Sequence, residues 1–318
     1  VGVSRQLVSL VLRDQPGASA ETRAKVLAAA KELGYRPDGA ARVLRRNRSG
    51  LLGVLFVAGH PFDMALVENM YPAAEQAGYS IALGAIAQTH DEARAVDDML
   101  GYRSEALILI GPELPPDELS RLAERLPIVE VGRHRSTPGV DAVFCDGEHG
   151  IRLAMDHLIS LGHRHIVHVD GGNMPGADDR RRGYVGAMTE AGLRNEIDVI
   201  PGDYSELAGH RAALEIMARS KRPTAVVAAN DQTAFGLLGT VTRAGIAVPE
   251  DISISGFDDE RTARLPFIDL TTVAQNAAEM ARLTLQAVAE RLDGHRSEMR
   301  QLLVEPELIV RSSTGPAR

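Results

Sequence analysis

Apolar residues recur along this chain in two rhythms, and the change between them falls near residue 50. Before it the spacing is helical. Leu7, Val8, Val11 and Leu12 form one stripe behind Ser4, a residue able to cap a helix, so the pattern predicts a short helix over Ser4 to Arg13. Asp14-Gln15-Pro16-Gly17 reads as a turn. Ser19 caps a second predicted helix with Val26, Leu27, Ala30 and Leu33 on one face. Gly34 ends it and Pro37 follows, as helix stops do. A third helical stretch, Gly39 to Arg46, ends among Arg45, Arg46 and Arg48.

From Leu51 short β-rich runs alternate with amphipathic helical segments. The runs are Leu51–Val57, Tyr79–Ala85, Ala106–Ile110, Ile128–Val131, Ala142–Cys145, His165–Val169, Ala225–Ala229 and Ile252–Phe257. Helices fit between them, such as Asp146–Leu161 and Thr233–Ala244. That alternation predicts βαβ units, hence an α/β fold with doubly wound parallel sheets. A length of 318 residues suits two such sheets facing a cleft, with a short appendage in front. No short-period repeat or low-complexity segment interrupts the pattern.

Charge sharpens the division. Residues 1–49 hold ten Lys and Arg against four Asp and Glu, or +6, while the remainder carries −14 of the net −8. A small basic head attracts phosphate backbones, and an acidic body limits unspecific contact with them. The plainer reading, an unstructured basic tail, fits poorly with the head's caps and helical stripes. No run reaches the roughly 18 apolar residues that a membrane span needs, and Arg5 and Arg13 interrupt any leader-like core, so neither a membrane nor export is expected. Cys145 is the single cysteine. It cannot form an internal disulfide, so a cytoplasmic location and a buried structural role are expected.

In parallel α/β sheets ligands bind beyond the carboxyl ends of strands. The residues in that position are His60-Pro61-Phe62-Asp63, Gly132-Arg133, a Gly-rich loop followed by Arg180, Asn230-Asp231 and Asp258-Asp259. Amides, carboxylates and guanidinium forks suit ring hydroxyls, which both donate and accept. An aromatic face such as Phe62 or Tyr204 suits the apolar side of a sugar or a base. Each has a bland alternative: Asn230 as a helix cap, Asp258-Asp259 as a turn, Arg180 as part of the solvated run Asp178–Arg182. Gly171-Gly172 to Gly176 lacks dinucleotide-binding spacing. His163, His165 and His168 are no zinc set, because strand alternation sends His165 and His168 to opposite faces. No nucleophile–base pair, phosphate loop or metal set is visible, so no enzyme and no cofactor are expected.

Over nearly its whole length the sequence resembles the lactose-repressor (LacI/GalR) family of transcriptional regulators. Val1 through Leu12 is similar to the turn and second helix of that family's helix-turn-helix, Ser19–Val26 through Leu33–Pro37 to its third helix and exit, and Ala40–Leu44 to its hinge helix. Leu161–Ile166, Arg180–Tyr184, Ala229-Asn230-Asp231, Val248–Asp251, Gly256–Asp259 and Leu270–Val273 with Gln275 match family blocks in order. The resemblance implies a partial DNA-binding domain over 1–37 and a hinge helix over 38–49. The effector-binding and dimerisation domain, similar to periplasmic binding proteins, then spans 50–318. Its first subdomain is 50–146 with 275–304, and its second is 147–274 with 305–318.

Further roles follow from the resemblance. Ser4, Arg5, Gln6 and Ser9 would face operator DNA, Leu44 would wedge into the minor groove, and Arg45 would touch phosphate. Phe62, Asp63, Arg133, Arg180, Tyr204, Asn230, Asp258 and Gln275 would contact a small-molecule effector. Asp63 stands where an aromatic is frequent in the family, and a carboxylate suits hydroxyls better than a flat base, so a sugar is expected. The first helix of the helix-turn-helix would precede residue 1. The short polar stretch Ser312–Arg318 offers no tetramerising coiled coil, so a homodimer is expected. The rivals are a sugar-binding transport or sensor protein without effective DNA binding, and an enzyme built on the same cleft.

Overall fold

The structure, a computed structural model, describes residues 2–12, 15–34, 48–296 and 298–318. The predicted helix over Gly39 to Arg46, with Leu44 and Arg45, lies outside the described residues, as do Arg13 and Asp14. The chain divides into two compact units, Val1–Gly50 and Leu51–Arg318.

In the first unit α1 (Arg5–Leu12) and α2 (Ala20–Glu32) pack through Val11 and Val26, each 2% exposed. Ser4 Oγ accepts the Leu7 N–H and Ser19 Oγ accepts the Thr22 N–H, so both serines take up otherwise unpaired first-turn donors. Arg5 and Gln6 are exposed and Ser9 is half-buried.

The second unit holds two six-stranded sheets. The strands of the first are β1 (Leu51–Val57), β2 (Ser80–Ile86), β3 (Ala106–Ile110), β4 (Ile128–Val131), β5 (Asp141–Cys145) and β11 (Gln301–Val304), in the order β11-β5-β4-β3-β1-β2, all parallel. The second is built from β6 (Ile166–Val169), β7 (Asp198–Ile200), β8 (Ala225–Ala228), β9 (Ser253–Asp258), β10 (Thr271–Ala274) and β12 (Glu307–Ile309). Its order is β12-β10-β9-β8-β6-β7, parallel except for β12. Helices α3 (Pro61–Gln76), α4 (Glu92–Gly101), α5 (Pro116–Ala123) and α10 (Ala277–Leu292) accompany the first sheet. Helices α6 (Gly147–Ser160), α7 (Ala177–Glu190), α8 (Glu206–Ala218) and α9 (Asp231–Arg243) accompany the second.

The inner strands of both sheets are buried on both faces, which is why β1, β3 and β8 read as unbroken apolar runs. Leu52, Val54 and Phe56 of β1 join one core with α3 and α10, while Leu55 turns to another with α4 and α5. Val167 and Val169 of β6 face the α8–α9 side, and Ile166 faces α6 and α7. The chain crosses between sheets three times, after β5, after β10 and after β11. Since β5 pairs with β11 and β10 with β12, the crossings lie side by side. No described helix is long and apolar enough to cross a membrane.

Candidate ligand-binding cleft

Between the carboxyl ends of the two sheets lies a cavity of about 210 Å³. Phe62, Asp63, Arg180, Tyr204, Asn230, Asp258 and Gln275 line it, so residues spread over more than 200 positions meet in one place because each follows or ends a strand.

Asp258 is the centre of the second-sheet wall. It closes β9 with φ 123°, a left-handed conformation that a side chain adopts only at a cost, and its own side chain is 7% exposed. Asp231, wholly buried at the first turn of α9, accepts the Glu260 N–H at 2.8 Å and the Thr272 hydroxyl at 2.5 Å, and so fixes the turn that aims Asp258 inward. Gly256 is required beside it, since a Cβ there would lie 2.2 Å from the Asp231 carboxylate. Gln275 Nε2 donates to Asp258 Oδ1 at 2.6 Å, and the Arg180 guanidinium stands 3.6 Å from the same oxygen. Burial pushes the Asp258 carboxyl up to about 6 against the pull of Arg180 and Gln275.

Arg180 comes from the first turn of α7, which opens at Gly176 in a left-handed conformation. Its Nη1 donates to Ala229 O at 2.5 Å, and its plane lies 3.9 Å from the Phe257 ring centroid and 5.1 Å from that of Tyr204. Its Nε is buried and among the described residues has no partner. Tyr204, itself at φ 65°, anchors its hydroxyl on Pro175 O at 3.0 Å and lays its ring on Gly171. A Cβ at Gly171 would sit 2.1 Å from that ring. Asn230 both caps α9, accepting the Thr233 N–H at 3.0 Å, and holds Tyr204 O at 3.0 Å. On the opposite wall Asp63, in the first turn of α3, accepts the Val57 N–H at 3.1 Å. Burial raises its carboxyl to about 7, the Val57 N–H opposing and Asp258 adding.

Arg133 stands apart. Gly132 lines the cavity, and at φ 87° it turns the chain away. Arg133 lies among Arg135, Glu130, Glu113 and Glu92, with Glu130 fully buried and bonded to Arg135 at 2.6 Å. The cavity adds residues that the strand-end reading passed over: Glu113, Met174, Pro175, Glu206, Gln232 and Glu260. Two of these directly follow or flank quoted pairs, Gln232 after Asn230-Asp231 and Glu260 after Asp258-Asp259, so extending each strand end by one residue finds them. Two of the three histidines do other work: His163 bridges Thr224 Oγ1 and Gly315 O, and His168 meets Val227 O. Cys145 is half-buried, and burial raises its thiol to about 12, far from a reactive thiolate.

Comparison with known proteins agrees with both units. Residues 1–38 match the family described as bacterial regulatory proteins, lacI family, and residues 155–314 match a periplasmic binding protein-like domain. The HTH-type transcriptional repressor PurR of Erwinia tasmaniensis is 32% identical over 329 residues, covering 100% of this chain and 96% of its own. A LacI transcriptional regulator from a Rhodococcus species is 41% identical with a TM-score of 0.81, over 84% of this chain and 99% of that one. The lac repressor dimer bound to operator and the anti-inducer ONPF superposes with a TM-score of 0.82 at 28% identity, over 99% of this chain and 96% of that one.

Proposed function

Because the chain belongs to the lacI family of bacterial regulatory proteins, we propose that it is a homodimeric transcriptional repressor of operator DNA, controlled by a sugar held between the two sheets of its second unit. The observation that carries the effector half is the Asp258–Arg180–Gln275 cluster facing Asp63 across a cavity flanked by Tyr204 and Phe62. Carboxylates accept from ring hydroxyls, the guanidinium and the Gln232 and Gln275 amides donate to them, and the two aromatic faces suit the apolar side of a ring. A volume of about 210 Å³ is below the roughly 300–1,000 Å³ of drug-sized sites and suits one small ring.

On the DNA half, Arg5 and Gln6 are exposed on α1 beside Ser4, where their long polar side chains are free to reach base edges. The relative bound to operator is a dimer, which supports the same assembly here. The cleft has two walls joined by three crossings, so an effector that binds one spacing of the walls better shifts the balance between spacings. Whether it releases or retains operator follows from which spacing it prefers. Gly111 and Pro175 already approach across the cleft, a Cβ at Gly111 falling 3.0 Å from Pro175 Cγ. Asp258, Arg180, Gln275 and Asn230 hold and orient one another and their neighbours, which supports a binding role in place of turnover.

The test is a thermal-shift screen against sugars, sugar phosphates and nucleobases. A ligand at 100 times its dissociation constant stabilises by about 2.7 kcal/mol. A sugar should raise the melting temperature and Asp258→Ala should abolish the shift. A nucleobase as sole binder overturns the sugar, silence from all three classes overturns the cleft assignment, and turnover of any member replaces the repressor with an enzyme.

A further inference from the structure

Charge in the cleft is lopsided. Six carboxylates line the cavity, those of Asp63, Glu113, Asp203, Glu206, Asp258 and Glu260, against the one guanidinium of Arg180. Arg180 is already committed to Asp258, and Asp203 is paired with Arg211 at 3.1 Å outside the cavity. Four remain, of which Glu113 and Glu206 are exposed and Asp63 and Glu260 are buried. Asp63 is 8% exposed and Glu260 9%, and among the described residues neither forms an ion pair. Gln232 Nε2 donates to Glu260 Oε2 at 2.5 Å, while Glu260 Oε1 is buried and among the described residues has no partner, and the residue lines the cavity. The neighbouring cavity is lined by Arg261 and Arg264 among others; Arg264 is held by Asp259 at 2.7 Å, and neither lines the first cavity.

A buried carboxylate without a counter-charge is costly, and it is relieved by a proton or by a cation. Here the two lie on opposite walls of one cavity, Asp63 on α3 and Glu260 beyond β9, so a cation held in that cavity lies in the field of both. Exposed Glu113 and Glu206 add negative field at the mouth, which favours a cation and disfavours a phosphate on approach.

Resting on the sugar reading above, we propose that the effector is an amino sugar, whose protonated amine is taken up by Asp63 and Glu260 while its hydroxyls meet Arg180, Asp258 and the amides. An ammonium has three donors and no acceptor, which matches two carboxylates that can only accept and have acceptor capacity beyond the single hydrogen bond each receives. Glucosamine, galactosamine and mannosamine, their neutral parent sugars and their phosphorylated counterparts are to be titrated into the full chain near neutral pH by calorimetry. At least one amine should bind, more tightly than its parent, with the phosphorylated form weakest. In Glu260→Gln the preference for the amine over its parent should fall by about 30-fold. Asp63→Asn should lower the same ratio, and serves alone if Glu260→Gln does not fold. Neutral sugars binding without any amine overturn this proposal and leave the sugar-responsive repressor standing. A phosphorylated sugar binding best also overturns it. Silence from every sugar overturns both.

Discussion

Three consecutive arginines, Arg180, Arg181 and Arg182, have three different surroundings. The first is buried between two aromatic rings in the cleft, the second pairs with Asp170, and the third lies outside with Asp179 and Glu148. Helical geometry causes the separation, since neighbours on α7 point about 100° apart. A charge run in sequence therefore contained one interior residue, and only the position of the helix start at Gly176 says which. Asp258 and Asp259 divide likewise: one faces the cavity, the other is bound by Arg264 and Arg311. Strand ends made Asp63, Arg180, Asn230 and Asp258 legible as candidates. Arg133 was equally placed in sequence, but the left-handed Gly132 before it redirects the chain, and a backbone angle is not written in residue types. Arg180→Lys keeps the charge and loses the stacked fork. It should weaken effector binding by about 2 kcal/mol, some 30-fold, read by calorimetry with the unliganded melt little changed.

Among the elements, eight strands were plain in the sequence, the edge strand β2 among them, while the interior strand β10 and the edges β7, β11 and β12 were not read as runs. β1, β3 and β4 coincide with the apolar runs, whereas β7, β11 and β12 have three or four residues and are partly exposed, which leaves no run to read. Helix α2 shows the same reasoning from its cap, Ser19. What no pattern announced is how closely α8 and α9 approach. A Cβ at Gly236 would lie 1.9 Å from Glu206 O, and one at Gly209 would lie 2.0 Å from Thr233 O. The two glycines let the backbones touch, and the start of α8 carries Tyr204 and Ser205 into the cleft wall. Gly236→Ala forces the helices apart. It should destabilise by about 1–3 kcal/mol in denaturant titration and weaken the effector through displaced Tyr204.

At the scale of the molecule, the cleft ties stability to pH. Burial raises Asp63 from 3.8 to about 7 and Glu260 from 4.5 to about 8, with Asp258 adding to Glu260. Below the ordinary carboxylate range both states hold these protons and nothing is lost. Above it the unfolded chain releases them first, so stability falls progressively until the pH passes the raised folded values. The unliganded protein should therefore lose stability between about pH 5 and 8 in denaturant titrations, and Glu260→Gln should flatten the upper part of that decline. Asp141 works in the opposite sense: burial opposes, but Arg296, Arg291 and the Arg300 N–H hold its carboxyl below the usual range, so its contribution is lost on acidification.

One oxygen belongs to both the proposed ligand site and the joint between the sheets. Gln275 is where the chain leaves β10 to cross back to the first sheet, and its amide rests on Asp258 Oδ1. A hydroxyl that claims this oxygen does so in competition with a crossing strand. Occupancy and joint angle then become exchangeable quantities, traded at a single acceptor, and no chain of shifting side chains has to carry news from one to the other. By reciprocity, whatever else sets the joint must alter how readily that oxygen is given up to a ligand.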